Sequence, residues 1–120
     1  MILVDTSVWV EHFRRGHAEL ASLLEDGLVH THEFVLGELA TGSLARRAEV
    51  LGLLDALPRA GTAGHEEAMA LLDRHRLWGR GLGWVDTHLL ASAVIERRPL
   101  WTLDKRLAAA AEVLKVAYRA

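Results

Sequence analysis

The chain has 120 residues, of which 51% are hydrophobic and 25% charged, the profile of one folded domain rather than a disordered chain. Its 14 basic and 16 acidic residues leave a formal net charge of −2, too little positive charge for a general grip on nucleic-acid phosphates. Any phosphate chemistry must draw its positive charge from somewhere other than the bulk surface.

Cysteine is absent, which removes disulfides, thiolate metal sites and cysteine nucleophiles and fits a reducing cytoplasm. The longest weakly polar run, 89–95, falls far short of the roughly 20 residues a bilayer span needs, so no membrane contact is expected. Met1 to Val4 lead straight into Asp5, without a basic region or cleavage site, so no signal peptide is expected either.

In chain order, Ile2-Leu3-Val4 reads as a buried strand ending at Asp5. A helix over 7–14 follows, then a second over 17–26 with Gly27 as its stop. Leu28-Val29-His30 reads as a second strand. Helices are expected over 33–40 and 44–57, the latter broken by Pro58, with a short extended segment near Arg59-Ala60. A helix over 65–76 leads into a loop holding Gly79, Gly81 and Gly83. A strongly apolar helix over 85–97, a strand at Leu100-Trp101-Thr102, a helix over 104–114 and an edge strand at 116–118 complete the chain. Strands alternating with helices predict one α/β domain over 1–120, a mostly parallel sheet of about four or five short strands flanked by about seven helices.

Parallel sheets bind ligands beyond the carboxyl ends of their strands. Asp5 follows the first strand there, and Asp104 lies just beyond 100–102. Asp86 opens the apolar helix on the face shared with Leu89, Leu90 and Ala93. Each of these aspartates also suits a helix N-cap. Glu38 lies inside its helix, where capping does not explain it, although glutamate also suits any wet helical face. Four clustered carboxylates repel one another unless a cation intervenes, and hard divalent ions such as Mg²⁺ and Mn²⁺ take such oxygen ligands. A metal on Asp5, Glu38, Asp86 and Asp104 would supply the charge the surface lacks.

The run Met1 to Val10, in which a hydrophobic strand enters Asp5-Thr6-Ser7, resembles the opening of a PIN domain. Val35-Leu36-Gly37-Glu38-Leu39-Ala40-Thr41-Gly42 resembles that family's glutamate helix. Val85 to Ala93 resembles its aspartate helix, and Leu100-Trp101-Thr102-Leu103-Asp104-Lys105-Arg106-Leu107 its last acidic motif. The four stand in family order over nearly the whole chain, and no motif position departs from the pattern. The resemblance is nearest to the VapC-like toxins, small endoribonucleases of toxin–antitoxin pairs. It implies a Mg²⁺- or Mn²⁺-dependent ribonuclease with Asp5, Glu38, Asp86 and Asp104 as catalytic metal ligands. It further implies that Thr6 or Ser7 supports the site and that Thr102 orients Asp104 or a water. A homodimer and a VapB-like antitoxin whose tail fills the groove are implied as partners, with RNA as substrate.

Other residues offer weaker signals. Arg46 and Arg80 are placed to touch phosphate, and Trp84, beside the glycine loop, to stack on a base. The same loop also reads as a plain connector and Trp84 as packing beneath it. His30-x-His32 has transition-metal spacing, but scattered surface histidines are the expectation for all seven. A haloacid-dehalogenase-type phosphotransferase would want a second acid where Ser7 stands. A non-catalytic PIN-like module that binds RNA or a partner is the remaining alternative, and the complete acidic set argues against it.

Overall fold

The computed structural model describes residues 1–119. Three strands form the sheet: β1 (Ile2–Val4), β2 (Val29–His30) and β3 (Leu100–Trp101). Seven helices surround them: α1 (Thr6–Arg15), α2 (Ala18–Glu25), α3 (Glu33–Thr41), α4 (Arg47–Asp55), α5 (His65–His75), α6 (Trp84–Glu96) and α7 (Lys105–Val113). The strand order is β2-β1-β3 and both pairings are parallel, with Ile2 opposite Val29 and Val4 opposite Trp101.

The class, the parallel sheet and the helix number follow the sequence, but the strand count does not. Among the described residues three strands form, not four or five. The two further segments make single parallel bridges only, Thr31 to Arg59 and Leu100 to Ala117. Pro58 explains the first, since a residue without an N–H cannot continue a ladder. The fourth helix also starts later than expected, after Arg46 in a left-handed conformation with φ 52°.

The strands are sheathed on both faces. Val4 and Leu3 are buried, as are Val8, Leu20, Val29, Leu89, Leu90, Leu100 and Leu107 from the surrounding elements. In α6 every residue from Thr87 to Ala93 is buried, so this helix is core on all sides rather than amphipathic. Burial of a leucine or valine side chain stabilises by about 1.5–3 kcal/mol, so the α6 contacts carry a large share of the stability. Among the described residues no helix is long and apolar enough to cross a membrane.

This packing sets the position of the chemistry. β1 and β3 are neighbours, and the Asp5 N–H donates to the Trp101 carbonyl at 2.9 Å, so the loops leaving both strands open at one sheet edge. α3 leaves β2 and packs on α1, and α6 packs on α7 and β3.

Candidate active site

Asp5 ends β1 and caps α1, and is only 5% exposed. Its Oδ2 accepts from Ser7 Oγ and from Thr102 Oγ1, both at 2.7 Å, and more weakly from the Ser7 N–H at 3.4 Å. Both hydroxyl protons are thereby committed to the carboxylate. The two hydroxyl oxygens in turn accept backbone protons. Leu103 N–H donates to Ser7 Oγ at 2.9 Å and Asp104 N–H to Thr102 Oγ1 at 3.0 Å. A relay of hydrogen bonds thus runs from the loop after β3, through two hydroxyls, to the carboxylate after β1.

Asp104 caps α7, its Oδ1 accepting from the N–H groups of Arg106 at 2.9 Å and Leu107 at 3.0 Å. Asp86 lies in the first turn of α6, and its Oδ2 accepts the Gly83 N–H at 2.9 Å. Glu38 lies exposed within α3, and Thr6 Oγ1 donates to its Oε1 at 2.7 Å. Thr6, Ser7 and Thr102, which the sequence placed beside the site, therefore each hold one of its acids.

The structure brings Asp5, Asp104 and Glu38 each within electrostatic reach of Asp86. Burial raises the Asp86 pKa above its ordinary value, a backbone bond from Gly83 opposes this, and Asp5, Asp104 and Glu38 each push it further up. One oxygen of each acid is engaged as described, while no protein hydrogen bond reaches Asp5 Oδ1, Glu38 Oε2, Asp86 Oδ1 or Asp104 Oδ2 among the described residues. Four carboxylate oxygens without protein donors are the chemistry a hard divalent cation takes. Among the described residues no three acidic or imidazole groups already stand close enough to share one ion.

Beside Glu38 opens a cleft of about 560 Å³, walled by Val10 and Phe13 of α1 and rimmed by Arg14 and Arg46. Arg46 faces Glu49 at 3.8 Å with its side chain mostly in solvent. Arg80 is exposed, and its Nε donates to the Arg76 carbonyl at 3.1 Å. Trp84 is 42% exposed and already packs edge-to-face on His88, ring centroids 4.6 Å apart, and against His65.

The histidines correct one expectation. His30, His32 and His88 are buried, not scattered over the surface. His32 caps α3 by accepting the Phe34 N–H on Nδ1 at 3.0 Å, and its Nε2 lies 3.1 Å from Ser92 Oγ. Ser92 Oγ donates to the Gly61 carbonyl at 2.7 Å, so its proton is committed and the imidazole must donate through Nε2. His32 thus joins the helix that carries Glu38 to the helix that carries Asp86. Histidine is not a favoured cap, so nothing in the sequence marks this role.

The family model of the PIN domain matches residues 2–113, and the chain belongs to the PIN-domain family. Over 111 residues, 92% of this chain and 90% of each relative, it is 51% identical to proteins named ribonuclease VapC32 from Mycobacterium tuberculosis, strains CDC 1551 / Oshkosh and ATCC 25618 / H37Rv.

Proposed function

We propose that this chain is a metal-dependent endoribonuclease, the toxin of a toxin–antitoxin pair, hydrolysing RNA phosphodiesters at Asp5, Glu38, Asp86 and Asp104. The observation that carries this reading is that Asp5, Glu38 and Asp104 all act electrostatically on Asp86, each of the four having one oxygen engaged by the protein and one without a protein donor. The relatives named ribonuclease VapC32 support the same activity.

A bound divalent ion, Mg²⁺ or Mn²⁺, supplies Lewis acidity toward a phosphate oxygen and makes water a better nucleophile at neutral pH. The protein's part is to fix the ligands. Ser7 and Thr102 hold Asp5 by one oxygen, so its orientation is set before any ligand arrives. Thr6 restrains Glu38, the one exposed acid not fixed by a helix cap. Asp86, whose carboxylate form burial and then the other acids disfavour, would be relieved by a cation. Arg46, Arg80 and the open part of Trp84 are then the contacts for phosphate and base.

Further parts of the proposal concern partners. A VapB-like antitoxin would inhibit by laying its tail in the apolar cleft beside Glu38, where Arg14 and Arg46 can meet acidic groups. The toxin acts as a homodimer in the cytoplasm, where its RNA substrate is.

The test is cleavage of total RNA with Mg²⁺ or Mn²⁺, beside chelator and beside Asp5→Ala. Cleavage that needs the metal and is lost in the variant supports the reading. Cleavage unaffected by chelator, or equal in the variant, overturns it. RNA or antitoxin binding without any cleavage would favour the non-catalytic module instead.

A further inference from the structure

Arg106 occupies a position that helix stability does not favour. It lies in the first turn of α7 beside Lys105, with no acidic residue in that turn. Cations at a helix N-terminus oppose the macrodipole, so this placement costs stability and asks for another reason. The Arg106 backbone N–H donates to Asp104 Oδ1, so its side chain departs from the immediate flank of a site acid.

That side chain lies across Gly81. A Cβ built on Gly81 would stand 2.6 Å from Arg106 Cδ, 2.9 Å from Nη1 and 3.0 Å from Nε. A side chain at Gly81 would push the guanidinium out of this position, and the φ of +79° at Gly81 favours glycine. Two residues on, the Gly83 N–H holds Asp86. The guanidinium therefore spans from the cap of α7, which is Asp104, to the loop that fixes Asp86. Like most of the arginines, Arg106 has no carboxylate within 4.0 Å among the described residues, so its donors are not taken up by an ion pair.

We propose that Arg106, seated on Gly81, binds a phosphate of the RNA at the rim of the acidic site. The inference rests on the ribonuclease reading and adds a named contact to it. A guanidinium offers a planar fork of donors that matches two phosphate oxygens, and its charge stays at any physiological pH. It also answers how a chain of net charge −2 holds a polyanion: with few cations, placed beside the acids rather than spread over the surface.

The experiment measures binding of a fluorescein-labelled RNA oligonucleotide, in EDTA so that metal-dependent hydrolysis is off, by anisotropy from 0.05 to 0.5 M salt. Each phosphate contact on a single strand contributes about 0.7 to the slope of log affinity against log salt. Arg106→Gln is expected to lose about that much slope, which is about fivefold in affinity at 0.1 M salt. Arg106→Lys keeps the charge and is expected to retain the slope while losing part of the affinity. Gly81→Ala fills the seat, so it should weaken binding alone and add nothing to Arg106→Gln. In cleavage assays Arg106→Gln should raise KM with little change in kcat.

Unchanged affinity and slope in Arg106→Gln, with thermal melts matching the parent, would overturn the proposal and leave Arg106 as a strap on the glycine loop. If the parent cleaves RNA with metal and Arg106→Gln does so with the same KM, the contact falls and the ribonuclease stands. If the parent binds the oligonucleotide, loses the slope on Arg106→Gln, and yet cleaves nothing, the contact stands and the ribonuclease falls.

Discussion

Thr102 Oγ1 donates to Asp5 Oδ2 at 2.7 Å, across 97 positions of sequence, and so ties the residue after β1 to the residue after β3. The same oxygen accepts the Asp104 N–H, so one hydroxyl sets the place of two acids.

Thr102→Val removes the hydroxyl and keeps the shape. It leaves the Asp104 N–H without its acceptor and Asp5 with one donor fewer, a loss of about 1–2 kcal/mol in chemical denaturation. RNA cleavage should fall by about 10- to 100-fold, the range for groups that orient metal ligands. Ser7→Ala touches the same carboxylate, so the double variant should lose less than the sum of the two singles.

Much of this site is legible in the sequence because three of its acids follow local rules. Asp5 and Asp104 follow strands and cap helices, and Asp86 lies in a helix's first turn, so each is placed by an element boundary that the residues announce. Glu38 is placed by ordered motif context rather than by capping. What the sequence does not announce depends on long-range pairing. Thr6 reaches Glu38 over 32 positions and His32 reaches Ser92 over 60, and neither spacing carries a period. The strand count fails for a related reason. Segments near 59 and 117 have strand-like residues, but each finds one bridging partner and no continuing ladder. Arg106 is invisible until Gly81 is seen beneath it.

Thr6→Val separates activity from stability. The Thr6–Glu38 bond is exposed, so its loss should change unfolding free energy by no more than about 0.5 kcal/mol. Glu38 then loses its restraint, and metal-dependent cleavage should fall by about tenfold or more, read as kcat with KM little changed. A stability loss large enough to explain the activity loss would contradict this.

His32 makes stability depend on pH in the acid range. Burial lowers its pKa below the ordinary 6.5, with Glu33 and Glu96 opposing that shift and His88 adding to it. The unfolded chain therefore takes up the proton first, so stability is full above about pH 6.5 and falls as pH drops toward the folded value. His12, His30 and His88 are lowered too, and act in the same direction. Protonation also places a hydrogen on Nδ1, where the Phe34 N–H must be accepted. His32→Asn keeps an acceptor for that N–H and cannot titrate, so its denaturation midpoint should fall less steeply from pH 7 to pH 5. His32→Gln loses the cap and should be destabilised by about 1 kcal/mol at pH 7.

Asp86→Asn should stabilise the metal-free protein. The raised pKa means that the folded state disfavours this carboxylate. Its contribution is favourable below the unfolded pKa and is lost as pH rises through the folded one. At pH 7 the asparagine removes that repulsion while its Oδ1 still accepts the Gly83 N–H, so the melting temperature should rise. Mn²⁺ should raise the melting temperature of the parent and leave that of the variant nearly unchanged.

The central claim is that these four acids hold the ion with which the protein cuts RNA. Mn²⁺ binding followed by electron paramagnetic resonance on the parent and on Asp5→Asn, Glu38→Gln, Asp86→Asn and Asp104→Asn, each also scored for cleavage of one end-labelled RNA, tests it most directly. The account predicts saturable Mn²⁺ binding by the parent, weakened in every variant, with cleavage falling in step. Equal Mn²⁺ binding in all five proteins, or cleavage that persists as binding is lost, would contradict it.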